Sequence, residues 1–332
     1  MILKERVSEL FKDYDAQIRR AVISAVQDMR DSVNMAALER AIAARDIDAA
    51  LRILNLTPGF LAPVTAATSS AYTAGGASVV AALPKRGLQF AVRFDGRNPR
   101  AEAWAKSSSS RLIVEVLDKT RDTVAEYIRG GIERGINPRK TALEIAGRID
   151  KVSGKRKGGL LGLSSDLSEH VRNARRELST PEAMRNYLTR TRRDKRYDAR
   201  VSRAIKAGKP LSPADIELLT SRYSDRLLSY RAERIARTET TAALNAGRDE
   251  GVRQLIETGQ VRPDQVKKQW KSALDKRTRD SHFDMHNQTV GHSAPFRTPR
   301  GNLLMYPGDT ALGAPAGEVV NCRCTYLVQI DF

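Results

Sequence analysis

Long apolar runs are missing from this chain. No stretch of about eighteen consecutive apolar residues occurs, so no segment is expected to span a bilayer or to anchor in one. The opening MILKERVSELFKDYDAQIRR is charged from position 4 and has no continuous apolar centre, which excludes a signal-peptide pattern. Cysteine is almost absent, with Cys322 and Cys324 the two in 332 residues. Two thiols cannot make a disulfide framework, and with no export signal they point to a reducing cytoplasm. Aromatic residues make up 5% of the chain, too few for broad stacking platforms. H-E-x-x-H, glycine-rich phosphate loops and the G-x-S-x-G elbow are all lacking, and no internal repeat is visible.

Positive charge is what the chain has in excess. Fifty-seven Lys and Arg face 39 Asp and Glu, a formal net of +18. The excess is local: residues 151–210 hold 17 basic against six acidic side chains, a net of +11. Such a block suits a polyanionic partner, which it binds by releasing counterions. The candidates for contacting DNA without sequence preference are Lys155, Arg156, Lys157, Arg172, Arg175, Arg176, Arg190, Arg192, Arg193, Lys195 and Arg196. His170 lies in this block and reads as an exposed residue.

The fold class read from periodicity is mainly α, with a small C-terminal α+β unit. Val7, Leu10, Phe11, Tyr14, Ile18, Val22, Val26 and Met29 recur at helical spacing. Asp46 is placed to cap a helix through IDAALRIL, and Thr57-Pro58 to open another. AGGASVVAALPKRG, residues 74–87, reads as a break, LQFAVRF (88–94) as a strand or extended connection, and DGRNPR as a turn. A helix is expected to start after Ser110 and to end at Gly135, and Asn137-Pro138 to start the next. Residues 153–165, SGKRKGGLLGLSS, read as a flexible basic loop or arm. Helices follow from Thr180-Pro181 and Ser212-Pro213, the last ending near Gly259. Amphipathic stretches at 111–134 and 182–258 offer apolar faces for docking in a partner's groove. After 260 the pieces 266–270, 302–307 and 324–330 read as strands. The division that results is an N-terminal helical region 1–98, a helical segment 99–152, the loop 153–165, and a domain 166–332 with helices to 259 and the α+β module from 260.

That module concentrates the chemistry. His282, Cys322 and Cys324, with His286 or His292, are the donors available to one zinc ion; His282 and His286 share a face if TRDSHFDMHN is helical. A one-residue spacer in a strand would point both thiols to one side. The reading preferred is no cofactor: two buried thiols that pin the last strand, with His282 bonded to backbone or to Asp275, and zinc as the alternative. A nuclease-like set of two histidines with Asp275, Asp280 and Glu239 is a further reading.

In order, ARTETTAALNAG, QWKSALDKRTRDSH, a glycine-containing turn, MYPGDT and VVNCRC resemble the phage head-morphogenesis family, the Mu F-like minor head proteins. The resemblance is diagnostic over about 230–326, and upstream blocks such as RNPRAEAWAKSSSSRL resemble longer members. It carries over to Arg237, Thr238 and Glu239; to Trp270, Asp275, Arg277, Thr278 and His282; and to Asn321, Cys322, Arg323 and Cys324. It implies a virion protein of the head and portal region, assembled in the host cytoplasm. The implied partners are the portal protein, a scaffolding or major capsid protein, and packaged double-stranded DNA. Many relatives carry Cys-x-x-Cys after the Asp and a His before the terminal Cys-Arg-Cys, which looks like a zinc knuckle. Here Arg279 and His282 stand at those cysteines, and Glu318 stands near that His. The alternative to a structural head protein is a metal-dependent, nuclease-like enzyme of the capsid interior. A generic bacterial DNA-binding protein fits less well, because no helix-turn-helix signal is present.

Overall fold

The computed structural model describes residues 2–83 and 93–331, with residues 2–6 described by their backbone alone. Helices dominate: α1 (Ile2–Asp31), α2 (Met35–Ala43), α3 (Ile47–Leu54), α4 (Ala62–Ala81), α5 (Pro99–Ile113), α6 (Lys119–Glu133) and α7 (Pro138–Ala146). A two-residue ladder, β1 (Arg148–Ile149) and β2 (Arg156–Lys157), precedes α8 (Ser165–Glu177), α9 (Met184–Thr189), α10 (Asp198–Lys206) and the 45-residue α11 (Pro213–Glu257). Then come β3 (Val266–Lys271), α12 (Asp280–Asp284), β4 (Thr289–Gly291), β5 (Phe296–Arg297), β6 (Leu303–Leu304), α13 (Ala316–Val319) and β7 (Thr325–Ile330). The expected class, mainly α with a small C-terminal α+β part, is what the structure shows. Among the described residues no helix is long and apolar enough to cross a membrane.

Two compact units form. Unit 1 takes residues 1–22, 63–110 and 233–332; unit 2 takes 23–62 and 111–232. In unit 2, Asp46 accepts from the Ala49 amide at the start of α3, and Asn137 caps α7 through the Arg139 and Lys140 amides. Both caps were legible because capping is local. The expected start after Ser110 is instead interior: the helix begins at Pro99, capped by Asn98, and continues from α5 into α6 through one π turn at 114–118. The basic segment expected to be a free loop is held in place. Leu160, Leu161 and Leu163 are buried, and the Leu160 and Leu161 amides donate to the Ile145 carbonyl. The continuous helix expected after Thr180-Pro181 is broken into α9, a short turn and α10, with Arg190–Asp194 between them.

In unit 1 the predicted break at Gly75-Gly76 does not occur; both glycines lie inside α4. Local propensity disfavours them there, but close packing demands them. A Cβ on Gly75 would lie 2.3 Å from the Leu244 carbonyl oxygen, and one on Gly247 would lie 1.9 Å from that of Tyr72. Gly251 faces the Gly76 carbonyl in the same way, at 2.9 Å. So α4 and the second half of α11 meet backbone to backbone. From the extended-piece reading 88–94, residues 88–92 lie outside the described residues, and Arg93 and Phe94 form no strand.

The terminal sheet is antiparallel in the order β4-β3-β7, with Trp270 opposite Tyr326 and Lys268 opposite Val328. Of the three expected strands, 266–270 and 324–330 appear almost as read, while 302–307 is extended only at β6. Trp270, Met285, Phe296, Leu304, Val319, Cys322, Cys324 and Tyr326 form its core.

Gly247→Ala is expected to lower stability by about 3 kcal/mol, because neither backbone can yield to a new methyl group. Chemical unfolding followed by helix circular dichroism measures this, with Gly317→Ala, in open space and without a positive φ, as the control for loss of a glycine.

Candidate functional site

The site is built from the second half of α11 outward. Thr238, Thr241 and Asn245 project from one face of that helix at helical spacing. The Asn321 amide donates to Thr238 Oγ1 at 2.8 Å, and Thr241 Oγ1 donates to the Cys322 carbonyl at 2.8 Å. Asn245 Nδ2 donates to the Pro307 carbonyl at 3.0 Å and reaches that of Cys324 at 3.5 Å. Arg237 Nη1 donates to Asn321 Oδ1 at 2.9 Å. Asn321 has φ 59°, the left-handed region that asparagine tolerates better than most residues. Its turn separates α13 from β7 and places both cysteines before the strand, not in it.

Convergence of the thiols therefore comes from the turn, not from strand alternation. His282, in α12, is 1% exposed, and its Nδ1 lies 3.6 Å from Cys322 Sγ and 3.5 Å from Cys324 Sγ. Its other nitrogen, Nε2, lies 3.0 Å from Glu318 Oε2, and Glu318 also accepts from Ser281 Oγ at 2.9 Å. Trp270 presents its ring edge-on to the imidazole at 5.1 Å. The neighbouring thiols shift each other's acidity: Cys322 and His282 lower the Cys324 thiol, and Cys324 together with burial raises that of Cys322.

Around this centre the turn 275–279 is clamped. Arg323 meets the Asp275 carboxylate with both Nη atoms, and Arg279 donates to the Val320 carbonyl. The Asp275 carboxyl is held well below the usual carboxylate range, first by Arg323 and then by the Arg277 amide. Thr278 closes the turn through the Asp275 carbonyl at 2.8 Å. His286 Nδ1 accepts from the Ser272 amide instead, and His292 Nε2 faces Asp249 at 3.2 Å. Neither supplies the fourth donor considered above. The nuclease-like set is also dispersed: Asp275 is on Arg323 and Glu239 accepts from Ser108.

Among the described residues, His282, Cys322 and Cys324 form the one group of three or more His, Cys, Asp or Glu with ligand atoms within 4.8 Å of one another. Tetrahedral zinc, at about 2.3 Å from sulfur and about 2.0 Å from nitrogen, separates such donors by about 3.5 Å. The measured nitrogen–sulfur separations match. Glu318 supplies the carboxylate that commonly orients a zinc-bound histidine. These three side chains would hold the ion and leave one coordination position to a small donor; bound zinc would lock the turn to the last strand.

The eleven basic candidates all belong to unit 2, and the structure divides them. Arg175 pairs with Glu144 and Glu217, Arg190 with Glu177, Arg193 with Asp198, and Arg196 with Asp194. Lys155, Arg156, Lys157, Arg172, Arg176, Arg192 and Lys195 make no ion pair among the described residues; Arg192 stacks on Tyr230 at 3.6 Å. His170 is exposed, as read.

Residues 195–327 match the model of the family described as Phage Mu protein F like protein. This region belongs to that family. It contains each of the residues that build the thiol–imidazole centre and its clamp. The chain is also 34% identical over 104 residues to NAD(+)--arginine ADP-ribosyltransferase EFV of Enterococcus faecalis (strain ATCC 700802 / V583). That stretch is 31% of this chain and 20% of the enterococcal protein, so the chain spans about a fifth of that relative's length. No solved structure matches. Sequence reasoning did not find Arg248, Asp249 or Lys268, all buried in unit 1, because nothing local marks a charged residue on a helix or strand as interior.

Zinc added to the metal-free protein is expected to bind at one equivalent, read by elemental analysis after gel filtration. Cys324→Ser should abolish binding, and Glu318→Gln should weaken it by about 10- to 100-fold.

Proposed function

We propose that this chain is a minor head protein of a phage virion, assembling with the portal protein during procapsid formation and touching packaged DNA. The match of residues 195–327 to the Phage Mu protein F like family carries the reading. The scaffolding or major capsid protein is a second partner in it, and the finished location is the head and portal region after assembly in the host cytoplasm.

The structure changes how such docking would work. The apolar faces of the two amphipathic stretches are consumed internally: Leu112, Val116, Leu117, Val124 and Ile128 are buried, as are Leu219, Leu227, Leu244 and Leu255. What these stretches leave outside is mainly charged, of both signs, so partner contacts are charge-steered and weaken in high salt. DNA contact falls to the seven unpaired cations. If about six phosphates are neutralised, log K falls with log salt at a slope of about −5.

Two experiments test this. Co-expression with the portal protein of the same phage should give co-purification at low salt, and purified virions should contain the chain in far fewer copies than the major capsid protein. Absence from virions and procapsids, with no portal binding, removes the reading. Changing Lys155, Lys157, Arg172 and Arg176 to Glu should shallow the DNA salt slope by about 3.5, measured by fluorescence anisotropy. Incubating the protein with plasmid and divalent metals, and separately with NAD and an arginine acceptor, checks the enzymatic alternatives.

A further inference from the structure

Unit 1 has a cavity of about 600 Å³ between α1, the second half of α11, and the β3 and β7 ends. On its wall stands Arg248, 1% exposed. One edge of its guanidinium is used: Nη1 donates to Thr325 Oγ1 at 2.9 Å, and the group lies over the Tyr326 ring at 4.6 Å. The other edge, Nε and Nη2, is buried and donates to nothing among the described residues. No ion pair to Arg248 forms among them either.

The other buried cations among the described residues show how unusual this is. Arg30 pairs with Asp225 and donates to the Leu161 carbonyl. Arg231 donates to the Gly162 and Glu115 carbonyls. Lys268 donates to the Met305 carbonyl at 2.7 Å, with Asp249 at 3.9 Å. Removing a cation from water without an anion is strongly unfavourable, and burial does push the Arg248 guanidinium down from its ordinary value.

The free edge also defines the ligand. Nε–H and Nη2–H run parallel at the spacing that takes the two oxygens of one carboxylate. Thr240 Oγ1, on the same wall, is a second buried group with no partner. Asp15 also lines the cavity, with one buried, unbonded oxygen, and burial raises its pKa. The lining also carries apolar Val7, Phe11, Leu274 and Leu327, beside the basic side chains Lys12, Arg237, Lys271 and Arg323. A volume near 600 Å³ is in the range of small-ligand sites.

We propose that this cavity binds a carboxylate carried on an apolar body, seated on the Nε/Nη2 edge of Arg248. The proposal is independent of the head-protein reading. The carboxylate can come from a free small acid or from the C-terminus of a peptide, and the test separates them. Full-length protein is titrated calorimetrically with phenylacetate, with a short peptide ending in phenylalanine, with that peptide as its C-terminal amide, and with inorganic phosphate. Binding of phenylacetate identifies a free acid; binding of the peptide acid alone identifies a chain terminus. Either should raise the thermal midpoint of the wild type. The amide should bind at least about tenfold more weakly, and Arg248→Lys should cost the acid at least about tenfold, because a lysine cannot bind two oxygens side by side. Arg248→Met should abolish binding without lowering the thermal midpoint. No binding of either acid to the wild type overturns the proposal, as does binding of phosphate alone, or undiminished acid binding in Arg248→Met. Should that variant fail to fold, the wild-type titrations and Arg248→Lys still decide.

Discussion

The backbone of residues 321–324 has to be held against α11 before the terminal site can exist. Thr238 and Thr241 bond its Asn321 amide and Cys322 carbonyl, Asn245 reaches the Cys324 carbonyl at 3.5 Å, and Arg237 takes the Asn321 side chain. With the main chain fixed, alternate side chains are sorted. Cys322 and Cys324 turn inward to one imidazole nitrogen, and Arg323 turns out to Asp275. Glu318 then fixes the imidazole from behind. Each of these contacts depends on the one before it, which is why a short turn far from α11 in sequence carries so many specific residue types. The question of why a chain so poor in cysteine places two of them one residue apart is answered by this geometry: both must reach the same nitrogen from a single turn.

What the sequence disclosed follows the range of the forces involved. Caps at Asp46 and Asn137, and the start of α11 at Pro213, are set within a few residues and were readable. The closeness of His282, Cys322 and Cys324 was readable, since all three fall in one small terminal module. The glycine pair in α4 was misread because its reason lies some 170 residues away, in Leu244 and Gly247. The extent of α5 before Ser110 was missed because a serine-rich stretch has weak propensity, and packing decides its state. Between α9 and α10, Arg190, Arg193 and Asp194 are each engaged in ion pairs that no local pattern in the sequence marks. Arg248 could not be read at all, since a basic residue in a charged run normally faces solvent.

Charge behaves differently in the fold than in the composition. Four of the eleven basic candidates are neutralised by carboxylates of their own unit, and Asp194 serves both Arg196 and Arg226 while itself 2% exposed. Net charge counts those arginines as available to a polyanion, whereas their geometry commits them to holding α8, α9 and α10 together. The basic surface is thus narrower than the count implies, and its lysines near β2 and arginines of α8 are its core.

The discontinuous make-up of unit 1 bears on its synthesis. Its pieces are drawn from residues 1–22, 63–110 and 233–332. When the ribosome has completed α11, the first two pieces have already been made, yet the turn and strand that close the module have not. At about 5–20 residues per second, α1 and α4 spend on the order of ten seconds or more without their final partner. The glycine-lined contact of α4 with α11 can form once α11 emerges; the Cys322–Cys324 turn comes later. A chain that stops short of it would retain its helices and lack the core around Trp270.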